Sequence, residues 1–202
     1  MTIAAVALAA SLAVTPVSSA QGWTLGGGYY LDTTGWSVQF YDTYTRDRVS
    51  SQVKLTVAEL VSATGVDIKY TTTINKTSAT CPGYTSTGRH RIVIRLEPTT
   101  TRSSTYSCNG GWARSTASIH LSGTKWTSTL HGGTHEAYRR NVVSHEMGHA
   151  MGLGHPDSCY LAGTDPLMCG DHWGGYVSPY SIAQKYTGYD VAGLKALVAN
   201  RP

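Results

Sequence analysis

The chain has 202 residues, of which 14% are charged, and a formal net charge of +4 at neutral pH. This length is enough for one domain with a substantial hydrophobic core. The charge is too small to indicate a nucleic-acid-binding protein. After residue 20 the sequence contains no membrane-spanning apolar stretch, no coiled-coil pattern and no repeat.

The N-terminal segment has the composition of a secretory signal peptide. Residues 2–17 are nearly all small or apolar, and the first charged side chain is Asp32. The sequence Ser-Ser-Ala that ends at Ala20 resembles a signal-peptidase site. The apolar run is short and interrupted, which argues against a membrane anchor or a buried helix. We therefore predict a signal peptide over 1–20, a single mature domain over 21–202, and a secreted, extracellular protein.

Hydrophobic periodicity predicts alternating strands and helices after an irregular, glycine-rich beginning. Alternating apolar residues predict strands, and apolar residues at helical spacing predict an amphipathic helix before the second strand. The predicted strands are 36–41, 66–70, 91–96 and 117–121, and the predicted helices are 46–63 and 134–153. Residues 98–113 read as a long loop. This order of elements indicates an α+β domain built on a mixed, twisted sheet.

The segment from His145 to His155 reads H-E-x-x-H-x-x-G-x-x-H. Residues four apart lie on one face of a helix, so His145 and His149 can reach the same metal ion. Gly152 accepts the left-handed conformation that ends a helix, and the returning chain can then bring in His155. Three imidazoles with one open position form the ligand set of a catalytic zinc. We expect Glu146 to hydrogen-bond the zinc-activated water without ligating the metal.

This segment resembles the zinc-binding motif of the metzincin metallopeptidases, and it is most similar to matrixins and small secreted snapalysin-like proteases. Snapalysins have Asp at the third ligand position, where this chain has His155; Asp157 is the alternative third ligand. Residues 165–170, Asp-Pro-Leu-Met-Cys-Gly, resemble the family's methionine turn with Met168 as its methionine. Residues 189–197 resemble the C-terminal helix of the matrixin catalytic domain. The resemblance therefore implies a zincin domain with a long HExxH helix, a Met-turn and a C-terminal helix.

The resemblance also implies roles for residues outside the ligand set. Met168 is expected to pack beneath the imidazoles and fix their geometry without binding zinc, with an ordinary buried core methionine as the overlapping alternative. In metzincins an antiparallel edge strand above the motif helix binds extended substrate by strand addition. We expect the segment around Ile119 to be that edge, with an ordinary sheet strand as the alternative.

Four cysteines in an exported chain indicate disulfide bonds. Of the three complete pairings, we favour Cys81–Cys108 and Cys159–Cys169. The second bond would close the loop between His155 and the methionine turn. Metal ligation by Cys159 and Cys169 is the alternative, but a fourth protein ligand would displace the catalytic water.

We expect one catalytic zinc ion as cofactor. His131 and His135 have helical spacing, but two glycines separate them, so a second zinc is not supported. Asp165 and Asp171 lack the spacing of a calcium-binding loop, so structural calcium is not supported either. Arg139 and Arg140 are expected to be solvated helix positions rather than a binding patch.

Together these features predict a secreted zinc endopeptidase. Zinc-activated water would attack the peptide carbonyl while Glu146 acts as general base. The alternatives are a secreted zinc hydrolase of a non-protein amide and a metal-binding module without turnover; the presence of Glu146 argues against the latter. We expect protein or peptide substrates, no nucleic-acid partner, no membrane association after signal removal, and a monomer.

Overall fold

The computed structural model describes residues 30–110, 113–127, 135–155, 167–169 and 185–199. The predicted signal peptide lies outside these ranges. Within them, no helix has the length and hydropathy needed to cross a membrane. The strands are β1 Tyr30–Leu31, β2 Trp36–Phe40, β3 Ile68–Ile74, β4 His90–Glu97, β5 Ser104–Gly110 and β6 Ala113–Ser122. The helices are α1 Thr43–Thr64, α2 Gly123–Thr127, α3 His135–Met151 and α4 Gly188–Ala199, and a 3-10 turn spans Leu167–Cys169.

The six strands form one sheet in the order β1-β6-β4-β2-β3, and β5 pairs with β6 outside this path. The β5–β6 pair is antiparallel, and the other pairs are parallel. Helix α1 lies between β2 and β3 in the chain, and such a crossover makes consecutive strands parallel. The sheet is therefore mixed, as expected. Most of its strand pairs are parallel, however, so the fold is a mixed α/β arrangement with more parallel pairing than the predicted α+β class implies.

The hydrophobic core lies on the sheet face that presents alternate residues of β2, β4 and β6. The fully buried members include Trp36, Val38, Phe40, Ile92, Ile94 and Leu121. Helix α1 adds residues at helical spacing, namely Val49, Val53, Val57 and Leu60. Helix α3 packs against α1 and also against β5 and β6. This packing places the motif helix beside the one antiparallel edge of the sheet.

Helix α1 begins earlier than the apolar pattern predicts, because Asp42 caps it. The Asp42 carboxylate accepts a hydrogen bond from the backbone N of Thr45 at 2.7 Å, which satisfies a free amide of the first turn. Gly65 ends the helix with φ of +71°, a conformation that glycine adopts without strain.

The opposite face of the sheet is polar and is contacted by the segment 75–89. The Asn75 amide donates to Gln39 Oε1 at 3.0 Å, and the Arg91 guanidinium donates to the carbonyl oxygen of Pro82 at 3.1 Å. A disulfide joins Cys81 of this segment to Cys108 of β5, the first of the two pairings that the sequence favours. The segment is therefore covalently attached to the edge strand.

Two sequence-based expectations about this edge were wrong. Residues 98–113 do not form one long loop, because they contain β5. The segment around Ile119 is not an edge, because Ile119 of β6 lies between Ile94 of β4 and Thr105 of β5. Strand β5 lacks the apolar alternation that indicates a strand, since it meets α3 partly through hydroxyl groups. Its position at the edge follows from the antiparallel return of β6 along it.

Candidate metal centre

Helix α3 and the turn after it bring His145, His149 and His155 together. The three Nε2 atoms form a triangle whose sides are each 3.1 Å. Four-coordinate zinc with metal–nitrogen bonds of about 2.0–2.1 Å holds its ligand nitrogens about 3.3 Å apart. The triangle is close to that size, and no other group of three or more His, Cys, Asp or Glu side chains in the described ranges has metal-binding geometry.

The orientation of two of these imidazoles is set by backbone carbonyls. His145 Nδ1 donates to the carbonyl oxygen of Leu167 at 3.0 Å, and His149 Nδ1 donates to that of Leu153 at 2.7 Å. Because each Nδ1 carries the proton, each Nε2 presents a lone pair to the centre of the triangle. Converging lone pairs repel one another unless a cation lies between them. The donor set therefore fits a metal ion.

Gly152 allows the chain to bring His155 to the other two histidines. Its φ is +107°, in the region where L side chains are strained. Its backbone N donates to the carbonyl oxygen of His149 at 3.0 Å, and Leu153 N donates to Gly148 O at 2.9 Å. The helix thus closes at Met151 and the chain turns toward His155. Asp157, the alternative third ligand, lies outside the described residues.

Glu146 is 5% exposed and lies on α3, the helix that also carries His145 and His149. Its Oε2 accepts a hydrogen bond of 2.6 Å from the hydroxyl of Thr105 on β5. Burial raises the pKa of the Glu146 carboxyl from 4.5 to about 7, and the Thr105 hydrogen bond opposes that rise. A carboxyl with a pKa near neutrality is suited to accept and return a proton.

The predicted methionine turn coincides with the 3-10 turn at Leu167–Cys169. Met168 is fully buried, and a Cβ built on Gly148 would lie 2.5 Å from its sulfur. The methionine side chain therefore packs directly on the backbone of α3 at Gly148, the residue before His149. The same turn supplies the Leu167 carbonyl that orients His145.

Asp190, in the first turn of α4, holds this turn in place. It is fully buried, and its carboxylate accepts hydrogen bonds from the backbone N of Leu167 at 3.0 Å and of Met168 at 3.4 Å. It also accepts from the backbone N and the hydroxyl of Thr187, at 2.8 and 2.9 Å. The sequence places Asp190 in the final helix but indicates no role for it, because only the tertiary structure shows its partners.

A buried polar network supports the other side of α3. Arg140 is 7% exposed and pairs with Glu59 of α1 at 2.6 Å, so the expectation that it is solvated was wrong. Arg139 donates to the carbonyl oxygen of Trp126 at 3.0 Å. The Tyr186 hydroxyl donates to the carbonyl of Ser144 at 2.6 Å, and burial and the nearby acidic groups raise the pKa of this phenol.

Most of the remaining predicted site residues lie outside the described ranges. Cys169 is disulfide-bonded, and Cys159 lies outside the described residues. His131, Asp165 and Asp171 also lie outside them, as does the His135 side chain.

The described fold resembles that of a known protein, although the sequence gives no match. No family model matches the chain, and no curated protein matches it. The crystal structure of archaemetzincin from Methanopyrus kandleri superposes with a TM-score of 0.52 at 16% identity, covering 86% of this chain and 97% of that one. At this identity the likeness concerns the fold alone. The chain therefore has a fold like that of archaemetzincin, and its site rests on its own residues.

Proposed function

We propose that this protein is a zinc-dependent endopeptidase. The observation that carries the proposal is the triangle of His145, His149 and His155 Nε2 atoms, together with the buried carboxyl of Glu146 on the helix that carries the first two. Zinc suits three imidazole nitrogens with an open position, whereas magnesium and calcium prefer oxygen ligands. The fold shared with archaemetzincin is consistent with this assignment.

In this proposal His145, His149 and His155 hold one zinc ion. When bound, zinc acts as a Lewis acid that polarises the peptide carbonyl and increases the acidity of water. Glu146 accepts the proton of the attacking water and then donates it to the leaving amine. Burial raises the pKa of the Glu146 carboxyl, which suits a group that holds a proton between the two transfers.

The substrate in this proposal is an extended peptide that pairs with β5. Strand β5 is antiparallel to β6 and contacts α3, and no strand in the described ranges pairs with its outer side. Free backbone groups of an edge strand bind an added strand by main-chain hydrogen bonds. Main-chain pairing recognises a peptide backbone, which favours a peptide over a non-protein amide as substrate.

We further propose that the protein acts outside the cell as a monomer, on protein or peptide substrates and without a nucleic-acid partner. The support for export is the apolar N-terminal sequence together with the Cys81–Cys108 disulfide, since such bonds persist in oxidising compartments. The small net charge of +4 supports the absence of a nucleic-acid partner.

The test is hydrolysis of an unfolded protein such as casein by protein purified from expression of the full chain. We expect activity that disappears with a chelator, returns with zinc, and falls by several orders of magnitude in Glu146→Gln at one bound zinc per chain. Glu136→Gln is the matched control, because Glu136 lies on the same helix and contacts Gln52 of α1 instead of the site.

Two results would contradict the proposal. Full activity in Glu146→Gln would show that Glu146 is not the general base, and failure of the protein to bind zinc would show that zinc is not its cofactor. Hydrolysis of small amides without cleavage of any peptide would instead identify a zinc hydrolase of non-protein substrates. Bound zinc without hydrolysis of either class would identify a metal-binding module.

A further inference from the structure

Two hydroxyl groups on the inner face of β5 connect the edge strand to the motif helix. Thr105 and Ser107 are two residues apart, so their side chains leave the strand on the same side. The Ser107 hydroxyl donates to the carbonyl oxygen of His149 at 2.7 Å. The Thr105 hydroxyl lies 2.6 Å from Glu146 Oε2 and 3.0 Å from the Glu146 carbonyl oxygen. Of the two, only Thr105 contacts a group that would take part in the reaction.

The hydrogen bond from Thr105 to the Glu146 carboxylate lies in a buried environment. Glu146 is 5% exposed, so water does not compete strongly for its oxygens. Within the described ranges, Thr105 is the one residue that donates a hydrogen bond to this carboxylate. A hydroxyl–carboxylate bond in a dry environment is strong and directional. The orientation of the Glu146 side chain therefore depends on the position of Thr105.

We propose that Thr105 is a positioning residue that holds the Glu146 carboxylate in the orientation from which it receives the proton. This inference rests on the proposed peptidase function. A general base acts within about 2.6–3.2 Å of the proton it removes, and misplacing a reacting group by about 1 Å costs roughly a hundredfold in rate. Because β5 is also the proposed substrate strand, one strand sets both the position of the base and that of the peptide.

The experiment compares Thr105→Val, which keeps the side-chain shape without the hydroxyl, with Thr105→Ser, which keeps the hydroxyl. Thr71→Val is the matched control, since Thr71 is a strand threonine on β3 that donates to the carbonyl oxygen of Val38 at 2.8 Å. Each variant is measured for zinc content, kcat and KM, and each zinc-loaded variant is crystallised to locate the Glu146 carboxylate.

We expect Thr105→Val to lower kcat by about tenfold to a hundredfold, the effect of losing one hydrogen bond to a charged group, with KM changed less than about threefold. Thr105→Ser should restore kcat to within a fewfold, and Thr71→Val should keep the parent's kcat. Crystals of Thr105→Val should show the carboxylate in a different rotamer, whereas Thr105→Ser should keep the contact.

The proposal is overturned if Thr105→Val keeps both the parent's kcat and the parent's carboxylate position. It is also overturned if Thr105→Ser is as slow as Thr105→Val, because the methyl group would then be the important part. If Thr105→Val does not fold, Thr105→Ala replaces it in the same comparison. If the parent has no peptidase activity, the proposed function fails, and the carboxylate position in the crystals still decides the role of Thr105.

Discussion

Gly148 lies so close to Met168 that the effect of Gly148→Ala on the free energy of unfolding should change sign when Met168 is replaced by a smaller residue. An alanine Cβ at position 148 would lie 2.5 Å from the Met168 sulfur and 3.4 Å from Tyr186 Cε1. Ordinary carbon–sulfur contacts are about 3.5–4.0 Å, so the sulfur would have to move by about 1 Å. Met168 and Gly148 thus form a pair in which the smaller residue makes room for the larger.

The magnitude follows from two opposing effects. Overpacking a buried site costs about 1–3 kcal/mol, whereas replacing glycine with alanine within a helix gains about 0.5–1 kcal/mol. We therefore expect Gly148→Ala to lower the free energy of unfolding by about 1–2 kcal/mol. In a Met168→Ala background the obstacle is gone, and the same substitution should raise the free energy of unfolding by up to about 1 kcal/mol.

The assay is a double-mutant cycle of urea unfolding at one fixed free-zinc concentration, because zinc binding itself changes apparent stability. Four proteins are needed: the parent, Gly148→Ala, Met168→Ala and the double variant. If Gly148→Ala has the same effect in both backgrounds, the coupling is zero and Met168 is not what excludes a side chain at position 148.

Three further predictions concern the residues around the site. Asp190→Ala should lower the free energy of unfolding by about 3–6 kcal/mol, since it leaves several buried donors of the turn unpaired; a change below 1 kcal/mol in urea unfolding would contradict this, and Asp47→Ala, an exposed acid, is the control. In zinc-free protein, folding raises the pKa of Glu146 from 4.5 to about 7. The contribution of this group to the free energy of unfolding is therefore fully present below pH 4.5 and is lost, by about 3 kcal/mol, as the pH rises through 7. Glu146→Gln should remove that loss, and parallel stability–pH curves for parent and variant would refute it. Replacing Cys81 and Cys108 with serine should lower the free energy of unfolding by about 3–4 kcal/mol from the closed loop of 27 residues, measured against the parent by urea unfolding.

The sequence predicts the elements whose cause is local. Apolar spacing predicts α1 and β2, and the histidine spacing predicts the ligand side of α3 because a helix repeats every 3.6 residues. A third candidate ligand so close in sequence requires a sharp turn at Gly152, and the φ of +107° at this residue agrees. The three Nε2 atoms that the spacing indicates do lie together.

The tertiary structure decides the features whose cause lies far away in the chain. Strand β5 is polar, so only its pairing with β6 makes it a strand and the sheet edge. The sequence around Arg140 predicts a surface residue, but in the fold Arg140 is buried and forms an ion pair with Glu59, more than eighty positions away. Thr105 and Asp190 have no motif around them, because a hydroxyl or a carboxylate acquires its role from the partner that the fold brings within hydrogen-bonding distance. The sequence by itself thus determined the candidate ligands and the candidate base, and the fold determined what orients them.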